Sequence, residues 1–157
     1  HGAACAGAAV DSGDGVATVV ATLSGAAERR PGQAVRRGVE PVSLLDNPGY
    51  FLSDIDMARH VIEMVGSDHV GLQLDFYHRQ VMRGDLATAI RDNLDITRHI
   101  QIANPPDRAD PRSGEINYDY IFAELEELGY GGWIGCEYTP LGTTAESLGW
   151  FEKYRNP

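Results

Sequence analysis

Two apolar patterns alternate along most of this chain. Short apolar runs bounded by Gly, Pro, Asn or Asp read as buried strands, and apolar residues spaced three and four apart read as helices. Residues 35–42 predict a strand ending near Glu40-Pro41, although Arg36 and Arg37 fit a buried parallel strand poorly. Asp46-Asn47-Pro48-Gly49 is a turn signal. Ser53 is placed to cap a helix over 54–65, where Ile55, Ala58, Val61, Ile62 and Val65 repeat at helical spacing before Gly66. Residues 70–74 form the next strand, with Asp75 at its end and Phe76-Tyr77-His78 in the loop beyond. A helix is expected over 85–96, a strand over 97–102 with Gln101 near its end, and a Pro/Asp/Arg/Gly-rich loop over 104–114. The clearest helix covers 117–128: Asn117 caps it, Tyr120, Ile121, Leu125 and Leu128 make its apolar face, and Gly129 ends it. Residues 131–137, Gly-Gly-Trp-Ile-Gly-Cys-Glu, read as a short buried strand ending on Glu137, and 145–154 as a last amphipathic helix.

Strand followed by helix, four times over, implies a parallel sheet with right-handed crossovers. Residues 1–38 differ from the remainder, 39–157. They are rich in Ala and Gly, lack aromatic residues, and offer at best one helix over 16–30, weakened by its glycines. No chemistry is visible there, and a flexible tail or damaged helix is the expectation.

Composition narrows the classes. Hydrophobic residues make up 43% and charged residues 23%, as in an ordinary soluble domain. A net charge of −10 opposes binding to nucleic acid or to an anionic membrane surface. No apolar run approaches the roughly 20 residues of a membrane span. Cys5 and Cys136 are too few for a disulfide framework, so a reducing, cytoplasmic setting is expected. A small molecule is the expected partner.

Glu40, Asp75, Gln101 and Glu137 end four successive strands. Side chains alternate along a strand, so Gln73 shares a face with Asp75, His99 with Gln101, and Gly135 with Glu137. Cys136 then points to the other side, as a small core residue. If the strands close into a barrel, their C-terminal ends meet at one mouth. Three carboxylates gathered there repel unless their pKa values rise or a cation sits between them. An oxygen-only donor set selects Mg²⁺ or Mn²⁺ over zinc. Any one such acid alone reads better as a helix cap or a solvated loop residue. Four in register favour a site.

The motifs Val39-Glu40-Pro41, Asp46 to Leu52, Leu72-Gln73-Leu74-Asp75-Phe76-Tyr77-His78, His99-Ile100-Gln101-Ile102-Ala103, Gly114 to Tyr118, Gly135-Cys136-Glu137-Tyr138 and Leu148-Gly149-Trp150 resemble the hydroxypyruvate isomerase family of xylose isomerase-like TIM barrels. The resemblance covers about residues 39–150. It implies an α/β protein of (β/α)8 TIM-barrel type with about the last four βα units present, since a whole barrel takes roughly 250 residues. It implies Glu40, Asp75, Gln101 and Glu137 as metal ligands, Glu40 and Glu137 also as the catalytic acid–base pair, and His78 and Arg108 as substrate-binding residues. His99 reads as structural.

The implied activity is metal-assisted aldose–ketose isomerisation of a small hydroxy-oxo acid, hydroxypyruvate to tartronate semialdehyde, by proton transfer through an enediolate. Isomerisation or epimerisation of a 2-oxo-tetronate or a sugar is the alternative, and an inactive truncated fragment is a third reading. An endonuclease on the same barrel would want a His-rich multi-metal cluster and a basic surface, which −10 opposes. One departure concerns substrate recognition: Val42-Ser43-Leu44-Leu45 stands where the family has a polar stretch with Asn and Arg. Open sheet edges in a half-barrel predict self-association into a homo-oligomer.

Overall fold

The apolar runs become four parallel strands in a computed structural model that describes residues 12–28 and 36–155. An N-terminal helix, α1 (Ser12–Glu28), precedes them and packs on α2 (Ile55–Val65). The helix expected over 16–30 is thus present and starts earlier, while Arg29 and Arg30 lie outside the described residues. The strands are β1 (Arg37–Val39), β2 (Val70–Asp75), β3 (Thr97–Ile102) and β4 (Ile134–Cys136), hydrogen-bonded in that order. Between β2 and β3 run α3 (Phe76–Met82) and α4 (Leu86–Asn93), and between β3 and β4 runs α5 (Tyr118–Glu127). The chain then forms α6 (Thr144–Ser147) and a 3-10 helix over Leu148–Tyr154. Register pairs Val39 with Leu72, Asp75 with Gln101, and Ile102 with Cys136.

Alternation along the strands sorts the two faces. Leu72, Leu74, Ile100 and Ile102 are buried and join Ala58, Ile62, Ala89, Ile90, Ile121 and Leu125 of the helices in one core. Gln73, His99 and Gln101, on the opposite face, are half-buried. The core therefore lies between sheet and helices, and the polar strand ends are left for the other face. An aromatic group closes the C-terminal side: Phe122 stacks on Trp150, whose Nε1–H donates to the Tyr138 hydroxyl at 3.1 Å. That hydroxyl donates in turn to the Ser147 carbonyl. The motif around Trp150 thereby ties down the residue next to Glu137.

Several local expectations change. Asp54, not Ser53, caps α2, accepting from the Asp56 N–H at 2.8 Å. Phe76, Tyr77 and His78 form the first turn of α3 rather than a loop, because Asp75 ends β2 and caps that helix in one step. The helix expected over 85–96 is shorter, Leu86–Asn93. On α5, Tyr120 is exposed, and Tyr118 takes the buried place with its hydroxyl donating to the Ala103 carbonyl. The expected last helix breaks into α6 and a 3-10 segment. β4 is not a buried strand. Trp133 just before it is 84% exposed, and Ile134 and Cys136 are exposed as well, at the edge of the sheet. Cys136 is accordingly not a core residue. No helix among the described residues is long and apolar enough to cross a membrane.

Ile100 is fully buried at the centre of the sheet. Ile100→Ala should lower the unfolding free energy by about 2–5 kcal/mol, measured by urea denaturation. A loss below about 0.5 kcal/mol, typical of a surface position, would contradict a core built around β3.

Candidate functional site

Asp75 is the pivot. Its Oδ1 accepts the His78 N–H at 3.0 Å and starts α3. Its Oδ2 is buried and has no hydrogen-bond partner. A carboxylate oxygen left this way costs free energy unless a positive charge faces it. The nearest cation is Arg108, whose Nη2 stands 3.7 Å away, beyond hydrogen-bonding reach. Glu40 follows β1 and brings a second carboxylate to the same place. Among the described residues, candidate ligand atoms of Glu40, Asp75 and His78 all lie within 4.8 Å of one another.

The other expected members stand around this group. Gln101 is beside Asp75 in register, and its Oε1 accepts from the Gln73 amide at 2.6 Å. The same Gln73 nitrogen donates to Glu40 Oε2 at 2.8 Å. Glu137 follows β4, with its N–H donating to the Ile102 carbonyl. Its carboxylate is about half exposed and takes the Arg108 Nη2 at 2.6 Å, so it faces the guanidinium rather than joining the tight group. Arg108 also lies over the Tyr77 ring, 4.8 Å from its centre.

The 104–114 loop that carries Arg108 is held by Asn104. This fully buried side chain accepts from the Ile116 N–H and donates to the carbonyls of Ile116 and Pro111. Gly114 passes so close, at φ +145°, that a Cβ there would sit 2.3 Å from the Pro105 carbonyl oxygen. The Arg108 carbonyl accepts from the Thr139 N–H, which joins the loop to the end of β4.

Burial sets the electrostatics. It pushes Glu40 from 4.5 to about 7, with Asp75 and Glu137 adding repulsion. It raises Asp75 from 3.8 to about 6 against the opposing hydrogen bond from His78. His78 moves the other way, from 6.5 to about 4, through burial and then the nearby Arg108 charge. Its ring is therefore neutral near pH 7. Nδ1 accepts the Ser43 N–H at 3.3 Å, an assignment that puts the ring proton on Nε2 as a donor. A protonated Nε2 suits a substrate oxygen better than a metal ion.

Ser43 and Asp46 brace the site without any sign of that role in the sequence, and Gln73, placed by alternation on the face of Asp75, joins them. Ser43 Oγ donates to Asp46 Oδ2, and Tyr77 donates to Asp46 Oδ1, so the turn after Glu40 braces His78. Nothing local marks Ser43. Gln73 was visible as a polar residue inside an apolar strand.

The donor set fits a hard divalent cation: one buried and one half-buried carboxylate with raised pKa values, one oxygen without a partner, and a carboxamide oxygen alongside.

Comparison with known proteins follows the same lines. The sequence profile described as "Xylose isomerase-like TIM barrel" matches residues 2–154. The chain belongs to the xylose isomerase-like TIM barrel family. That match begins within the Ala/Gly-rich stretch, where no motif is readable by eye. A 2-oxo-tetronate isomerase of Cupriavidus necator is 41% identical over 138 residues, 88% of this chain and 53% of the relative. The hydroxypyruvate isomerase of Escherichia coli is 40% identical over 139 residues, 88% of this chain and 54% of the relative. The chain thus spans about half the length of the curated relatives it matches. A Brucella melitensis protein solved as an AP endonuclease, family 2, superposes with a TM-score of 0.89 at 38% identity, over 94% of this chain and 57% of that one. The 3-keto-D-glucoside 4-epimerase of Escherichia coli gives 0.82 at 22% identity over the same shares, a likeness of fold.

A carboxyl whose pKa rises on folding favours the folded state while protonated. Glu40's contribution is present below 4.5 and is lost as pH rises through about 7. In EDTA, Glu40→Gln should melt above the wild type at pH 8, and the gap should close by pH 5. A gap that does not change with pH would contradict the burial of Glu40.

Proposed function

We propose that this chain carries the acid–base and cation-binding machinery of an aldose–ketose isomerase of small hydroxy-oxo acids, with hydroxypyruvate and tartronate semialdehyde as the pair interconverted. The observation that carries the proposal is the convergence of Glu40 and Asp75 on one point, beside Gln101 and within the same mouth as Glu137. The names of relatives about 40% identical support the reaction class. One of them acts on 2-oxo-tetronate, so an acid of that type is the second reading of the substrate.

The chemistry needs a base that takes a proton from the hydroxymethyl carbon and an acid that delivers one to the neighbouring carbonyl carbon. In this proposal Glu40 and Glu137 are that pair, on opposite sides of the substrate. His78 donates from Nε2 to a substrate oxygen. Arg108 holds the substrate carboxylate, for which its guanidinium fork is suited. A divalent cation, Mg²⁺ or Mn²⁺, would be held by Glu40, Asp75, Gln101 and Glu137 and would supply Lewis-acid stabilisation of negative charge on the substrate oxygens. We extend the proposal to self-association along the exposed edge at Trp133 and Ile134.

An endonuclease reading has less support. The phosphate backbone would meet a chain of net charge −10, and His78 is the one histidine in the tight group.

Hydroxypyruvate incubated with this chain and Mg²⁺ in deuterated water should exchange a hydroxymethyl proton, read by proton NMR. Glu137→Gln should slow that exchange by at least about 10²-fold while keeping the wild-type circular dichroism. Exchange at the wild-type rate in a folded Glu137→Gln would falsify the role given to Glu137.

A further inference from the structure

Gln73 lies on the central strand of the three that bear Glu40, Asp75 and Gln101. Its side chain points to the same face as theirs. Its amide nitrogen spends one hydrogen on Glu40 Oε2 at 2.8 Å and the other on Gln101 Oε1 at 2.6 Å. No other described side chain bridges two of the strand-end residues through hydrogen bonds in this way. Space for it is reserved on β1. A Cβ at Gly38 would lie 2.9 Å from both the Cβ and the Oε1 of Gln73, so any larger residue there would push the amide out of place.

Gln73 turns its NH₂, and not its carbonyl, toward Glu40 Oε2. With Gly38 beside the Gln73 oxygen, the second hydrogen of that NH₂ faces Gln101. Gln101 must then present its oxygen, because two amide nitrogens cannot share that contact. A carboxamide is free to flip, and its nitrogen cannot ligate a cation. We infer that Gln73 is a positioning residue that locks the Gln101 amide with its oxygen toward the strand-end cluster, converting an ambiguous side chain into a dedicated oxygen donor. The inference rests on the proposed divalent-cation site and adds to it a determinant outside the ligand set. It also explains a polar residue in the middle of an otherwise apolar strand.

Gln73→Met keeps the length of the side chain and removes both donors. Mn²⁺ titrated into the full 157-residue chain by calorimetry should bind about 10- to 100-fold more weakly to Gln73→Met than to wild type, the usual cost of losing a partner behind a metal ligand. In a Gln101→Glu background both terminal atoms are oxygens, and orientation no longer matters. There, Gln73→Met should cost clearly less than in the wild-type background, the residual loss being that of the hydrogen bond to Glu40. In the wild type both Gln73 amide protons should exchange slowly with water by NMR, a readout that does not require any variant to fold. Equal Mn²⁺ affinity of wild type and Gln73→Met overturns the inference. So does a full loss that persists in the Gln101→Glu background, or fast exchange of either proton. A wild type that binds no Mn²⁺ overturns the cation site itself and the inference with it.

Discussion

The buried, unpartnered Oδ2 of Asp75 is the constraint around which the molecule is arranged. The sequence puts that carboxylate at the end of an apolar strand, where it cannot retreat to water. Its other oxygen is already committed to the first turn of α3. Capping fixes the side chain, and fixing it keeps Oδ2 aimed at the space between the strand ends. Glu40 is drawn into the same field; burial moves both carboxyls toward neutral pH, with repulsion from Asp75 and Glu137 adding to the shift at Glu40 and from Glu137 to that at Asp75. Arg108 relieves only part of this, since its short contact is with Glu137 and Asp75 is more distant.

Support for this charge cluster comes from the side chains around it. Gln73 holds Glu40 and Gln101 from below. The turn after Glu40 fixes His78 through Ser43 and Asp46, and its buried ring stays uncharged beside Arg108. Asn104 staples the loop that carries Arg108, and Tyr138, anchored by Trp150 and Ser147, steadies the chain beside Glu137. The cost of gathering like charges is thus met by a scaffold that leaves those charges few conformations to escape into.

Much of this was legible in the sequence because period and position carry it. The four strands, the parallel order and the strand-end placement of Glu40, Asp75, Gln101 and Glu137 follow from alternation of apolar runs with helical repeats. What was not legible depends on partners distant in sequence. Phe76 to His78 reads as loop because it follows directly on a strand, yet Asp75 as a cap makes it helical. Residues 131–137 look apolar enough for a buried strand, but burial depends on what packs against a strand, and β4 is an edge. Tyr118 and Tyr120 exchange roles on α5 because the Ala103 carbonyl offers one of them a buried acceptor. The pairing of Arg108 with Glu137 needs the turn of the 104–114 loop, which no local pattern specifies.

The central claim is that the strand ends form one site for a hard divalent cation. The direct measurement is anomalous diffraction from crystals of this chain soaked in Mn²⁺. A single strong peak is expected within about 2.0–2.6 Å of oxygens from Glu40 and Asp75, with the Gln101 oxygen turned toward it. A map without a peak there, or with the ion bound instead through the His78 ring and away from Asp75 Oδ2, would contradict that claim.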